Sequence, residues 1–235
     1  MVKIRKKDGN YIGEVPFSSN LENYKKEIKF DELDDAQDDA LTLYEKATNL
    51  IKPTFIISEK FIDQQLRSES ITTVKVGSEK FEGKALAVLD SIHRIFPYLA
   101  TCGNQVENLD LSSIDFLAFY WIDIIKIQAL DSSRKAMLSF VKEKFGITKP
   151  LSLNPGSGNV DIWPIEQMGN LFNLFGGKEF VEKETGTQLT PSSLMVPNKS
   201  VAGILFSSTK YDYESCAYCE RLHCPSRRVP FKERL

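Results

Sequence analysis

Three of the four cysteines in this chain, Cys216, Cys219 and Cys224, fall within nine residues near its carboxyl end. Their spacing is C-x2-C-x4-C, and Pro225 follows the last of them. Two thiolates separated by two residues can grip one metal from a single tight turn, and a third arrives after another short turn. Thiolates are soft ligands suited to zinc or to iron–sulfur clusters. A structural zinc site takes four protein ligands, whereas a [4Fe–4S] cluster needs one ligand per iron. The Cys-Pro ending matches the close of ferredoxin-like motifs, so a [4Fe–4S] cluster is expected, with zinc the alternative. A fourth ligand must come from Cys102, from His223 or from a non-protein group. Cys102 follows an apolar segment and precedes Gly103, a position at a strand end that could face the site; a lone buried cysteine is equally ordinary as core filler.

Other polar groups offer weaker chemistry. Gly156-Ser157-Gly158 could present backbone N–H groups to an anion, or could simply turn the chain before a helix. Glu166 and Gln167 fall in the first turn of that helix, where they either cap it or face a ligand groove. His93 and His223 are not arranged as a base and nucleophile, and no G-x-S-x-G, Walker or dinucleotide fingerprint is present. A hydrolase or NTPase is not expected.

The elements that would hold these groups read as a mixture of helix and strand. A hairpin or extended arm is predicted around Asp8-Gly9-Asn10. A helical stripe with an acidic start runs over 31–51 until Pro53 stops it. Residues 54–66 are ambiguous, 72–76 read as a strand, 83–89 as helix and 92–101 as a buried strand entering Cys102. The longest helix opens at Ser112 and ends at Phe145 before Gly146. Pro164 opens a helix reaching Phe175, 178–185 form another, and 189–196 and 200–207 read as strands. Strands and helices do not alternate as βαβ units, so the fold class expected is α+β. The divisions are an arm and helix over 1–52, the main domain over 53–210 and a cysteine-rich basic tail over 211–235.

Bulk properties bound the rest. With 235 residues, 42% of them hydrophobic, the chain can bury a real core. Thirty basic and 32 acidic side chains leave a net charge of −2, so no field recruits nucleic acid, and a zinc-knuckle RNA binder is disfavoured. The basic start lacks an apolar run after it, and no stretch of about 18 apolar residues occurs; the expectation is a cytoplasmic protein with no membrane partner. Cysteines packed this closely in a reducing compartment suggest metal rather than disulfides.

From Leu151 onward the sequence resembles the activation (reactivation) domain of cobalamin-dependent methionine synthase and its free-standing relatives. The likeness is carried by Asn154-Pro155-Gly156-Ser157-Gly158, by Trp163-Pro164-Ile165-Glu166-Gln167 with Leu171-Phe172, by residues 186–195, and by 197–203. It is weaker over 70–145, in Phe81-Glu82-Gly83-Lys84 and Thr101-Cys102-Gly103. The resemblance implies a C-shaped α+β plate with a twisted antiparallel sheet. It implies S-adenosylmethionine as ligand and a docked corrinoid protein or cobalamin-dependent methyltransferase as partner, whose oxidised cobalamin is reduced and remethylated. It also sets Lys199 and Tyr211 near the ligand edge.

The family's adenosylmethionine motif is an arginine, three residues, then Gly-Tyr; here Ser152 and Gly156-Ser157 stand at those positions. Serine cannot make the bidentate carboxylate pairing of an arginine, so a departure is expected there. The cysteine tail is a second departure, resembling a subgroup tied to other corrinoid methyltransferases. Together these imply an accessory redox protein that gives the corrinoid one low-potential electron. Arg227, Arg228, Lys232 and Arg234 could steer an acidic electron donor or the corrinoid protein. The alternatives are a docking module whose zinc only staples the tail, and adenosylmethionine-dependent reactivation through a rewired pocket.

Overall fold

A computed structural model describes residues 1–157, 162–208, 213–223, 227 and 229–232. Its first strands, β1 (Lys3–Lys7) and β2 (Asn10–Glu14), form the predicted hairpin. Asp8 and Gly9 turn it in the left-handed region, which short polar residues and glycine tolerate. Helices α1 (Leu21–Glu27) and α2 (Gln37–Leu50) follow. The second begins later than its acidic stripe suggests, because two 3-10 turns and a left-handed Asp34 occupy residues 30–36.

The ambiguous stretch resolves into strands: β3 (Thr54–Ser58), β4 (Lys60–Phe61) and β5 (Gln64–Arg67). Next come β6 (Thr72–Val76), β7 (Glu79–Gly83), a 3-10 turn over Ala85–Leu89 in place of the expected helix, and β8 (Arg94–Thr101). The long helix α3 (Ala118–Phe145) starts after Asp110 and Asp115 have bonded the backbone ahead of it, at Ser112 and Leu117. Short polar side chains draw the chain into turns before it can coil. Then follow β9 (Leu151–Leu153), α4 (Met168–Asn173) and α5 (Lys178–Thr185). The predicted strand over 189–196 is instead a small hairpin, β10 (Gln188–Leu189) with β11 (Met195–Val196), turned by Pro191 and the left-handed Ser193. Last is β12 (Ser200–Phe206).

The class is α+β. The main sheet runs β1-β2-β3-β8-β12-β9 with β4 also on β8, and its pairings are antiparallel. Residues 1–52 thus supply the edge strand and its neighbour on one side of the sheet, as well as the helices packed beside it. A second sheet, β5-β6-β7, lies against one face.

Both faces of the main sheet are buried, which the period-2 pattern makes visible. Ile56, Ile95, Leu99 and Ile204 point to one side, into a core shared with Val74, Phe81, Trp163 and Phe172. Phe55, Ile57, Phe96, Tyr98 and Leu205 point to the other, against Met137 and Val141 from the later half of α3. The earlier half of α3 packs instead on α1 and α2, through Trp121, Ile122, Ile125, Tyr24 and Leu43. One helix therefore spans two cores. Among the described residues no helix is long and apolar enough to cross a membrane.

Candidate functional site

Strands β9 and β12, the later half of α3 and the cysteine tail enclose a cleft of about 690 Å³. Its floor is made by Tyr98 and Leu205 from the sheet and Ser152 from the edge strand; α3 contributes Arg134, Met137 and Leu138. The outer wall is tail: Tyr213, Glu214, Ala217 and Tyr218 on one run, Val229, Pro230 and Lys232 on the returning one. Tyr213 and Tyr218 stack with ring centroids 5.6 Å apart. The result is a pocket with aromatic and apolar walls and a few convergent charges, the ordinary composition of a small-molecule site.

Ser152, which the sequence resemblance sets where an arginine is expected, lies inside this cleft. Its hydroxyl bonds Asn154 Oδ1 at 2.8 Å and the Tyr98 hydroxyl at 2.8 Å. Asn154 Nδ2 donates to the Tyr98 oxygen at 2.7 Å and to Ala202 C=O at 2.8 Å. The three side chains close a ring of hydrogen bonds on the cleft floor. Gly203, on the neighbouring strand, makes room for it: a Cβ there would meet Leu153 O at 2.1 Å and Asn154 Nδ2 at 2.5 Å.

The remaining sequence candidates are mostly committed elsewhere. Gly156 sits at φ +74, a conformation suited to glycine, and its N–H donates to Trp163 O; the N–H of Ser157 donates to Asn154 O. Those two donors are taken within the turn. Gly158 and Tyr211 lie outside the described residues. Gln167 accepts from Glu82 N–H and Trp163 Nε1 and donates to Glu82 O, clamping its turn onto β7. Glu166 is exposed. Lys199 pairs with Asp123 on α3 at 2.6 Å.

The cysteines separate into two environments. Cys216 closes into a 3-10 turn (Ser215–Tyr218) whose cap is the Glu214 carboxylate, and Cys219 follows directly; both thiols are unbridged and half-buried. Cys102 is fully buried among α2 and α3, its N–H bonded to Lys199 O and its thiol donating to Gly103 O. Burial pushes that thiol up to about 12, with Lys126 pulling weakly the other way. Cys224 lies outside the described residues, and His223 is exposed. Among the described residues, no three His, Cys, Asp or Glu side chains come together as a metal site. The structure thus brings Cys216 and Cys219 onto one turn and does not bring Cys102 to them. The donor set on that turn, two free thiols three residues apart, fits a soft metal.

One cleft residue has no signal in the sequence, and one tail residue takes a different role from the one its charge suggests. Arg134, on α3, brings a guanidinium to the cleft that Ser152 lacks, with Asp131 at 3.7 Å and Glu214 also lining the cleft. Arg227 does not extend freely as a steering charge. Its guanidinium donates to the carbonyls of Cys216, Cys219, Arg221 and Val229. Arg228 and Arg234 lie outside the described residues.

An α+β plate with an antiparallel sheet, a long central helix and a ligand-sized cleft at the sheet edge is the class of protein that the geometry defines. The chain is similar to the crystal structure of the MetH reactivation domain bound to AdoHcy. The TM-score is 0.52 at 15% identity, covering 86% of this chain and 80% of that one. No family model and no curated protein matches it.

Proposed function

We propose that this chain is a reactivation component for a cobalamin-dependent methyltransferase, docking the corrinoid protein and delivering an electron through an iron–sulfur centre. The observation that supports it best is the fold shared with a MetH reactivation domain over 86% of the chain. A low-potential cluster supplies one-electron transfer when bound. Cys216 and Cys219 would hold it from one turn, with Cys224 as third ligand by spacing. His223 or a non-protein group suits the fourth position better than Cys102, which is sealed in another core. The thiols are half-buried, which shields a centre from water while leaving an edge for electron entry.

The test is anaerobic purification with iron and sulfide analysis. A brown protein that loses its colour in Cys219→Ser supports electron delivery. Colourless protein carrying stoichiometric zinc sinks it and leaves the docking module.

Arg134 favours a second reading, the rewired adenosyl pocket. The MetH domain binds AdoHcy; here a guanidinium from α3 would take the carboxylate in place of the missing arginine, and Tyr98, Tyr213 and Tyr218 would offer ring surfaces. Calorimetry with S-adenosylmethionine and S-adenosylhomocysteine decides it. No heat at millimolar ligand retires the reading.

A further inference from the structure

We propose that Arg227 is the positioning residue of the thiolate site: it fixes the Cys216–Cys219 turn, supplies the positive charge a thiolate-bound metal needs, and ties that site to the cleft wall. This rests on the metal-binding reading above and concerns a residue that the cysteine spacing does not reveal.

A short turn carrying two thiols leaves carbonyls without partners, and buried carbonyls require donors. Arg227 Nη1 donates to Cys216 O at 2.5 Å, and Nη2 to Cys219 O at 2.5 Å and Arg221 O at 3.0 Å. Ala217 O accepts from the backbone N–H of Lys232 at 2.5 Å. Three carbonyls of the segment 216–219 are thus taken by the returning strand of tail. A guanidinium is planar and rigid, so holding the carbonyls of both cysteine residues fixes the distance between the two halves of the pair.

Among the described residues Arg227 has no carboxylate at ion-pair distance; its partners are neutral carbonyls, and its Nε is buried without an acceptor. A guanidinium stays protonated at any working pH, so this charge is permanent. Thiolate ligands bring negative charge to any metal they hold. A guanidinium bonded to the carbonyls of both Cys216 and Cys219 stands beside such a centre and offsets that charge.

Residues 213–218 and 229–232, which Arg227 and Lys232 join, are the outer wall of the cleft. Ala217 and Tyr213 are buried there, so the wall is packed rather than draped. Ordering the turn by metal must then order the wall, and the coupling is reciprocal.

The experiment uses the full chain, metal-free under reductant, titrated with zinc alone against a competing chelator. Removing an outer-shell partner of a metal site typically costs about 10–100-fold in affinity, and Arg227→Met should fall in that range. Arg227→Lys restores the charge but not the planar fork, and should recover part of the loss. Hydrogen exchange by mass spectrometry reads the coupling: zinc should slow exchange in peptides over 213–219 and over 229–232 of the wild type, and do so less in Arg227→Met. Equal zinc affinity in wild type and Arg227→Met, both folded by circular dichroism, overturns the inference and leaves the metal reading intact. Wild-type protein whose Cys216 and Cys219 take up no zinc or iron overturns both. Slowing confined to 213–219 overturns the link to the returning run of the wall, 229–232.

Discussion

At the end of the β8–β12 pair where Cys102 N–H meets Lys199 O, sulfur is sealed in apolar packing beside two ion pairs, Lys126–Glu107 and Lys199–Asp123, each at 2.6 Å. About six residues along β12, or about 20 Å, the chain leaves the sheet and the tail carries Cys216 and Cys219 half-exposed on a turn held by backbone acceptors. The first region spends its polar groups on each other and is built for stability. The second keeps half-exposed thiols beside a guanidinium, with the half-exposed Tyr218 on the cleft wall. Cysteine count alone groups these sulfurs; burial and hydrogen bonding divide them. A thiol that must bind metal needs access and nearby positive charge, and only the tail offers both.

The largest effect should come from breaking the buried end. Lys126 has a side chain only 10% exposed, and Glu107 is its partner. Glu107→Ala leaves a buried cation unpaired and should cost about 3–5 kcal/mol in chemical denaturation. A loss below about 1 kcal/mol would show that water reaches Lys126 and that this end is no more sealed than the tail.

The alkaline limb of stability is the next test. Cys102 is raised from 9.0 to about 12 by burial, so between those values the native thiol keeps a proton that the unfolded chain has lost. Stability contributed by this group is present below the lower value and falls as pH rises above it. The slope is at most about 1.4 kcal/mol per pH unit, and it should vanish in Cys102→Ala, measured by urea denaturation from pH 9 to 11. Parallel slopes in both proteins would contradict a sealed thiol.

On the acid side, Glu184 of α5 reaches across to β1, 2.5 Å from Arg5 and 2.6 Å from Lys7, with its own side chain 5% exposed. Its hydrogen bond from Lys7, then those from Arg5, hold its carboxyl below the usual range. That stability is present above the ordinary glutamate range and is lost as pH falls through the depressed value. Glu184→Gln should cost about 1.5–3 kcal/mol at neutral pH and flatten the acid dependence of unfolding.

What could be read from the sequence follows the range of the forces involved. The Asp8-Gly9 turn, the β-branched run of β6 and the end of α3 at Gly146 are local, and local chemistry announces them. The cysteine spacing is local too, so the turn with Cys216 and Cys219 was legible. Helix starts were read too early because Asp34, Asp110 and Asp115 favour turns over helix, a competition that hydrophobic periodicity does not register. The cleft was illegible for a different reason. Tyr98, Arg134, Ser152 and Tyr213 meet only through antiparallel pairing of β8, β12 and β9 and the crossing of α3 over them. Each alone reads as ordinary surface or core.

The smallest expected change in stability sharpens the contrast from the open end. Arg134 has a side chain 41% exposed, and its ion-pair contact with Asp131 is long, at 3.7 Å. Arg134→Gln should therefore shift unfolding by no more than about 0.5 kcal/mol. If the cleft takes an adenosyl amino acid, the same change removes its carboxylate partner and should weaken S-adenosylhomocysteine about 10-fold or more by calorimetry, the scale of one charged hydrogen bond. Affinity that moves while stability stays still is the mark of a group held ready for a ligand. Stability that falls with unchanged affinity would assign Arg134 to the packing of α3, and the cleft would then belong with the sealed end.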